Sequence, residues 1–199
     1  MREGIERLIE YEPDLTLTGS AATAEDALPQ LQSAPPDVAL VDLQLSGMTG
    51  IELIHQVRAL ALPVRLLVIS AHEEDLYGGR ALRAGAHGYM MKHDVARHVA
   101  DAVRHVARGE RHISASLRRH LLRDWLETQG WGQPIDEWSD AEIAALEQIG
   151  WAESGKTSAD ASRSAVPAGV REALQARLAV SSDEDVVRDA VRWVTATAR

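Results

Sequence analysis

Residues 38–54 read VALVDLQLSGMTGIELI and contain a change of pattern that sets the class of fold. Residues 38–43 form a short apolar run with one carboxylate, Asp42, inside it, which is typical of a buried strand. After a loop, Ile51 and Ile54 begin an apolar face at helical spacing. A strand without polar alternation, followed by a helix, indicates a parallel sheet covered on both faces.

The same alternation of strands and helices continues on both sides of this stretch. We predict a further strand over residues 14–20, in which apolar and polar side chains alternate. We also predict strands over the apolar runs 66–69 and 88–92. Helical patterns fill the intervals, and their ends are marked by Pro13, Thr23, Gly85, Asp94 and Gly109. The predicted fold class is therefore α/β.

Three polar side chains stand at the carboxyl ends of the predicted strands: Asp42, Ser70 and Lys92. Ligands of open α/β sheets bind at this edge. A carboxylate can act as nucleophile toward a phosphoryl group, while a hydroxyl and an ammonium group bind its oxygens. Taken singly, the three residues are typical of a cap, a turn and a solvated surface, so only the joint pattern indicates phosphoryl chemistry.

Four segments of the first half resemble the receiver domain of two-component response regulators of the NarL/LuxR type. They are VDLQLSGMTGIELI (41–54), LLVISAHEE (66–74), RALRAGAHGYMMKHD (80–94) and VRHVARGERHISASL (103–117). The resemblance covers residues 2 to 121. It implies a flavodoxin-like receiver domain in a cytoplasmic regulator that is not an enzyme, has no membrane partner and forms a homodimer.

The resemblance also implies roles for individual residues. Asp42 would accept the phosphoryl group from a sensor histidine kinase, and Lys92 would be the neighbouring cation. Ser70 and Tyr89 would shift when the group arrives. Mg²⁺ would bind the Asp42 carboxylate and the backbone carbonyl of Gln44.

The start of the sequence departs from the family. Family receivers open with a hydrophobic strand that ends in an acidic pair, whereas Met1 lies within the expected first helix. In the order 2-1-3-4-5 the absent strand lies inside the sheet. Three accounts stay open: the start is misassigned or cut, another chain or the C-terminal region fills the gap, or the sheet is reorganised. In the last two, the loss of carboxylates weakens the expected Mg²⁺ site and puts phosphorylation in doubt.

The second half predicts a small helical domain. Ser139 with Glu142 and Ser182 with Asp185 are capping boxes, and residues 170–180 carry an amphipathic pattern between them. Residues 138–150 and 171–194 resemble the LuxR-type helix-turn-helix domain, which implies DNA as a partner in transcription regulation. We expect a receiver domain over residues 1–121, a linker over 122–136 and the helix-turn-helix-like domain over 137–199.

The candidate DNA contacts are cations in a segment that departs from the LuxR pattern. They are Lys156, Arg163, Arg171 and Arg177. Pro167 and Gly169 fall where the recognition helix is expected, and both are poor residues for a helix interior. Residues 136–199 carry 12 acidic and 7 basic side chains, a net charge of −5 that opposes binding to phosphates.

Composition excludes several classes of protein. The 199 residues include 21 Lys plus Arg against 30 Asp plus Glu, a net charge of −9, so a basic surface over the whole chain is excluded. Without Cys, disulfides and thiolate sites are excluded. No apolar run approaches the ~18 residues of a membrane span. All five Trp lie at or after Trp125 and Phe is absent, which suggests two different cores.

Two alternative functions are weighed beside the response regulator. In the first, the receiver is a phosphorylation-independent dimerisation surface and the C-terminal helices bind protein. In the second, residues 150–157, GWAESGKT, form a phosphate-binding loop of an enzyme, since they match GxxxxGK[ST]. We reject the second because the preceding segment is predicted to be a helix, whereas such a loop follows a strand.

Overall fold

Three apolar segments of the first half form one parallel sheet in the computed structural model, which describes residues 1–129, 135–154 and 166–196. These residues divide into two units, Met1–Ile113 and Ser114–Arg199. The first unit contains α1 (Arg2–Glu10), α2 (Ala24–Ser33), β1 (Val38–Asp42), α3 (Gly50–Ala59), β2 (Arg65–Ser70), α4 (Glu74–Ala84), β3 (Gly88–Met91) and α5 (Val95–Ala107). The predicted α/β class is confirmed.

The strand order is β1-β2-β3, so β2 is the central strand. Val38 pairs with Arg65, and Leu67 pairs with Gly88. All residues of β2 after Arg65 are buried, as expected for a strand covered on both faces. Most of β1 is only half-buried, because within the described ranges no strand pairs with its outer edge.

The predicted strand over residues 14–20 is wrong, since this segment forms no strand in the structure. In the flavodoxin-like order 2-1-3-4-5 that segment is an edge strand whose sole neighbour precedes α1. The part of the chain that the structure describes contains no strand before α1. An alternating segment without a partner has nowhere to place its backbone hydrogen bonds in a sheet.

One face of the sheet is covered by α1 and α5. Ile9 of α1 and Val99 of α5 belong to the same buried cluster as Leu67 of β2. At the surface, Arg104 of α5 donates to the Asp14 carboxylate at 2.6 and 2.8 Å and to Glu12 at 2.5 Å. The hydrogen bonds between Arg104 and Asp14 lower the pKa of Asp14. The ion pairs therefore join the end of α1 to α5.

The helix ends follow the sequence signals with one exception. Thr49 and Glu52 form a reciprocal capping box at the start of α3. Gly85 ends α4 in the left-handed conformation, with φ of +117°. Asp94 stands at the N-cap of α5, but its side chain makes no capping hydrogen bond, so its predicted capping role is wrong.

The second unit is helical. It contains α6 (Ala115–Thr128), a 3-10 turn (Ile135–Glu137), α7 (Asp140–Glu153), α8 (Ala168–Arg177) and α9 (Asp183–Ala196). Trp125, Trp138 and Trp193 are buried in one core with Leu146. Both predicted capping boxes place their Ser hydroxyl on the expected backbone N–H. None of the described helices is long and apolar enough to span a bilayer.

The division between the units differs from the boundaries expected from the sequence. The structure divides after Ile113, whereas the receiver was expected to extend to residue 121. Residues 122–128 of the expected linker lie inside α6. Leu122 and Trp125 of this helix are buried in the core of the second unit, which explains why it belongs there.

Candidate phosphoryl-acceptor site

Sheet pairing brings the three predicted site residues to one edge. Asp42 is the last residue of β1 and pairs with Ile69. Ser70 is the last residue of β2. Lys92 follows β3, and its backbone N–H donates to the Ser70 carbonyl at 2.7 Å. The three residues therefore lie on neighbouring strands at the carboxyl edge.

Asp42 and Lys92 form a direct ion pair. The Lys92 Nζ donates to Asp42 Oδ2 at 2.6 Å, and both side chains are 23% exposed. The other carboxylate oxygen, Oδ1, accepts the Gln44 N–H at 3.0 Å. The structure thus holds an oriented carboxylate beside a cation, in a place that solvent and a small phosphoryl donor can reach.

Ser70 and Tyr89 are both buried, and both form hydrogen bonds with the main chain of His72. The Ser70 hydroxyl accepts the His72 N–H at 3.0 Å, and the Tyr89 hydroxyl donates to the His72 carbonyl at 2.9 Å. Burial raises the pKa of Tyr89, against a smaller opposite effect from its hydrogen bond with Ser70. The phenol therefore stays protonated and able to donate.

The loop after Asp42 is held in place by hydrogen bonds that its backbone N–H groups donate. The Glu25 carboxylate of α2 accepts the Met48 N–H at 2.8 Å. The Gly50 N–H donates to the Leu43 carbonyl at 3.3 Å. A Cβ at Gly50 would collide with the carbonyl oxygen of Asp42, so only glycine fits there without a shift of the backbone.

Comparison with known proteins shows the family of the segment that contains Asp42, Ser70 and Lys92. The pattern of the response regulator receiver domain matches residues 1–104 of the chain. The chain belongs to the response regulator receiver domain family. The predicted flavodoxin-like receiver domain is thereby confirmed.

The relatives of this receiver domain include regulators of the NarL/LuxR type, which confirms the resemblance found in the sequence. The nitrate/nitrite response regulator NarL of Escherichia coli is 38% identical over 94 residues, 46% of this chain and 43% of that protein. A probable transcriptional regulatory protein NarL of Mycobacterium tuberculosis is 35% identical over 101 residues, 51% of this chain and 47% of that protein. The alignments span less than half the length of either relative.

A solved structure shows the same similarity in three dimensions. A LuxR-family two-component response regulator from Aurantimonas superposes with a TM-score of 0.56 and 30% identity. The alignment covers 62% of this chain and 89% of that structure. This coverage is consistent with a similarity centred on the receiver domain.

Receiver domains generally bind Mg²⁺ beside the acceptor, and the described residues do not fit such a site on their own. No group of three or more acidic or His side chains in these ranges could hold a metal ion. The predicted ligands are the Asp42 carboxylate and the Gln44 carbonyl, whereas Mg²⁺ needs about six oxygen ligands in octahedral geometry. No part of the chemistry proposed below is routed through the metal.

The predicted DNA contacts fall into two groups. Lys156 and Arg163 lie outside the described residues, as does the end of the GWAESGKT segment, whose first four residues lie in α7. Arg177 donates to the Glu137 carboxylate at 2.8 Å and lies 3.5 Å from Glu142. Arg171 lies 3.4 Å from Asp183. The two described arginines thus both have carboxylate partners.

The sequence analysis missed Glu25, His72 and Gly50 as parts of the candidate acceptor site. Glu25 and His72 act here through bonds to or from main-chain atoms, which no side-chain pattern specifies. His72 follows Ser70 by two residues, and that spacing alone gave no signal. Gly50 is the first residue of a predicted helix, where a glycine can signal a close contact between two backbones. In the structure, Gly50 lies close to the backbone of Asp42.

Proposed function

We propose that this receiver domain accepts a phosphoryl group on Asp42 from a phosphohistidine of a sensor histidine kinase. The chain then acts in the cytoplasm as a regulator of transcription rather than as an enzyme. The observation that carries the proposal is the 2.6 Å contact between Lys92 Nζ and the Asp42 carboxylate, at the edge where Ser70 ends its strand.

The transfer uses groups already in place. An oxygen of the Asp42 carboxylate attacks phosphorus, a P–O bond forms, and the P–N bond to the kinase imidazole breaks. The imidazole keeps the electron pair of that bond and takes a proton from solvent. Lys92 then lies beside the new negative charge and binds a phosphoryl oxygen.

Ser70 and Tyr89 connect this charge to the rest of the domain. To donate to a phosphoryl oxygen, the Ser70 hydroxyl turns toward the group, away from the His72 N–H that it now accepts. The His72 carbonyl also accepts a hydrogen bond from the Tyr89 hydroxyl. A movement of Ser70 and a movement of Tyr89 therefore both involve His72. A local charge change of this kind biases a two-state element.

The test is covalent labelling of the full chain with acetyl phosphate in buffer containing MgCl₂, followed by mass spectrometry. We expect one phosphoryl adduct, its loss in Asp42→Asn, and at least tenfold slower labelling in Lys92→Met. Asp75→Asn, which changes an exposed acid of α4, is the matched control and should label normally. An unlabelled wild-type chain, or equal labelling of Asp42→Asn, contradicts the proposal.

A second candidate is a phosphorylation-independent interaction module. It is favoured by the single acidic side chain among the predicted metal ligands and by the carboxylate partners of Arg171 and Arg177. In this case the receiver forms a homodimer without phosphorylation, and the helical unit binds protein instead of DNA.

DNA binding separates the two candidates. A regulator of transcription should bind a DNA duplex with an affinity that falls as the salt concentration rises. The double variant Arg171→Ala with Arg177→Ala should lower the slope of log affinity against log salt concentration by about two. Fluorescence anisotropy over a range of salt concentrations measures this. Absence of binding, together with a dimer in ultracentrifugation without phosphoryl donor, would favour the interaction module.

A further inference from the structure

The backbone of the loop that follows Asp42 orients the acceptor carboxylate. The Gln44 N–H donates to Oδ1 of Asp42 at 3.0 Å, so the position of this backbone group sets the direction of the carboxylate. The other oxygen, Oδ2, faces Nζ of Lys92 at 2.6 Å. A shift in the backbone of the loop would therefore turn the nucleophile or release it from the Gln44 N–H.

Glu25 of α2 anchors this loop from a different element. Its Oε1 accepts the Met48 N–H at 2.8 Å. Among the residues that the structure describes, every other hydrogen bond of residues 43–49 has its partner in β1, in the loop itself or in α3. The loop is therefore tied to the neighbouring helix α2 through one carboxylate.

The Glu25 carboxylate lies directly against the turn of the loop at Gly47. This residue has a φ of +80°, in the left-handed region that favours glycine. A Cβ added to Gly47 would lie 2.5 Å from Oε1 of Glu25 and 3.2 Å from its Cδ. The bare backbone of Gly47 thus lets the carboxylate reach the N–H of the next residue, Met48.

We propose that Glu25 is a positioning residue for phosphoryl transfer, which acts through the loop on the direction of the Asp42 carboxylate. This inference rests on the proposed function and deepens it, because it names what holds the nucleophile in line. Correct orientation of reacting groups lowers the barrier, and a displacement of ~1 Å can cost on the order of 100-fold in rate. A bond from a backbone N–H to a carboxylate is charge-assisted, which suits it to fix a loop.

The role predicts which kinetic parameter changes. In the proposed function Lys92 binds a phosphoryl oxygen, and it reaches Asp42 from the end of β3 without involving the loop. Glu25 bonds to the backbone on the side of α2 instead. Loss of the Glu25 carboxylate should therefore lower the maximal rate of transfer, while the donor concentration that gives half of this rate stays unchanged.

Labelling of the full chain over a range of acetyl phosphate concentrations, with MgCl₂ present, tests the role. Glu25→Ala should lower the maximal labelling rate about tenfold. Glu25→Gln keeps an oxygen acceptor at the same chain length and should label within about twofold of wild type. Gln32→Ala, at another exposed position of α2, is the matched control and should label as wild type does. Circular dichroism at the labelling temperature verifies that each variant is folded.

The NMR signals of the Gln44 and Met48 N–H groups give a second readout, in the unphosphorylated chain. Both should move in Glu25→Ala and stay at their wild-type positions in Gln32→Ala. Because the Gln44 N–H bonds to Asp42, its shift reports whether the loss of Glu25 reaches the acceptor.

The outcomes distinguish this role from the function on which it rests. A wild-type chain that does not label overturns the proposed function, and the role of Glu25 with it. If the wild type labels, equal labelling of Glu25→Ala or an unmoved Gln44 signal overturns the role of Glu25 alone. A slow Glu25→Ala whose rate Glu25→Gln does not restore would show an effect of charge instead of position, and it also overturns the role.

Discussion

At the scale of single residues, His87 makes the stability of the first unit depend on pH. The unfolded imidazole takes up a proton near pH 6.5, whereas the folded one resists until about pH 4. Between these values the unfolded chain binds more protons, so stability falls as the pH is lowered. We expect a loss of up to about 3 kcal/mol across this window, measured by urea unfolding at pH 7 and at pH 4.5.

His87→Gln provides the control for this dependence. Glutamine keeps a hydrogen-bond acceptor for the Leu66 N–H but does not titrate. The first unit also holds three carboxylates with lowered pKa values, Asp14, Glu52 and Glu110. Their ordinary pKa values are 3.8 for Asp14 and 4.5 for the two Glu, so they act mainly below this window. An unchanged slope in His87→Gln between pH 6.5 and 4.5 would refute the role of His87.

Tyr89 offers a second test at this scale. Tyr89→Phe keeps the buried ring but leaves the His72 carbonyl without the hydroxyl that donates to it at 2.9 Å. We expect a loss of about 1 kcal/mol in thermal or chemical unfolding. Tyr11 is 85% exposed, and Tyr11→Phe should leave stability unchanged. Equal effects of the two substitutions would contradict the hydrogen-bond argument.

At the scale of elements, α7 and α9 cross at Gly150. A Cβ on this residue would collide with the carbonyl of Ala190 and touch a methyl of Val194. Although alanine favours a helix, we expect Gly150→Ala to destabilise the second unit by about 1–3 kcal/mol, because the helices must separate. Thermal unfolding followed by circular dichroism measures this.

Gly169 of α8 is the matched control for this substitution. Nothing lies within 4 Å of its Cβ position, so Gly169→Ala meets no steric barrier. It should raise stability by up to about 1 kcal/mol, through helix propensity alone. If both alanines shift the midpoint in the same direction, the crossing of α7 and α9 does not depend on Gly150.

The elements that the sequence predicted well are those with local signals. Strands β1, β2 and β3 and their helices follow from apolar runs and capping residues within a few positions. The segment 14–20 carries a local signal of the same kind, yet it forms no strand. Strand pairing depends on a distant partner, which the periodicity of one segment cannot reveal.

The acceptor site was predictable to the same extent. Asp42, Ser70 and Lys92 meet because parallel strands place their carboxyl ends together, a rule that needs only the order of elements. The Glu25 contact joins residues 23 positions apart through a backbone N–H, so it required the three-dimensional structure. The division after Ile113 differs from the expected boundary at residue 121 for a related reason, since the apolar face of α6 does not reveal from sequence alone which core it packs into.

At the scale of the whole molecule, the net negative charge opposes association of copies through the outer edge of β1. The outer edge of β1 has no strand partner among the residues that the structure describes, and such edges pair with other chains. The net charge of −9 keeps copies apart near pH 7, but it vanishes near the isoelectric point of about 5.3.

We therefore expect light scattering by the chain to reach a maximum near pH 5.3 and to fall on either side of it. The measurement is a pH series at constant ionic strength and protein concentration. Scattering that rises steadily toward low pH would instead indicate acid unfolding. A flat profile would show that the outer edge of β1 is not a route to association.

The segregation of aromatic side chains has a practical consequence. Every Trp of the sequence belongs to the span of the second unit, while the Tyr residues belong to the first. Selective excitation of indole thus yields an emission signal from one unit alone, without any attached dye. A phosphoryl donor that changed this emission would have to affect the unit that does not contain Asp42, which makes intrinsic fluorescence a direct readout of communication along the chain.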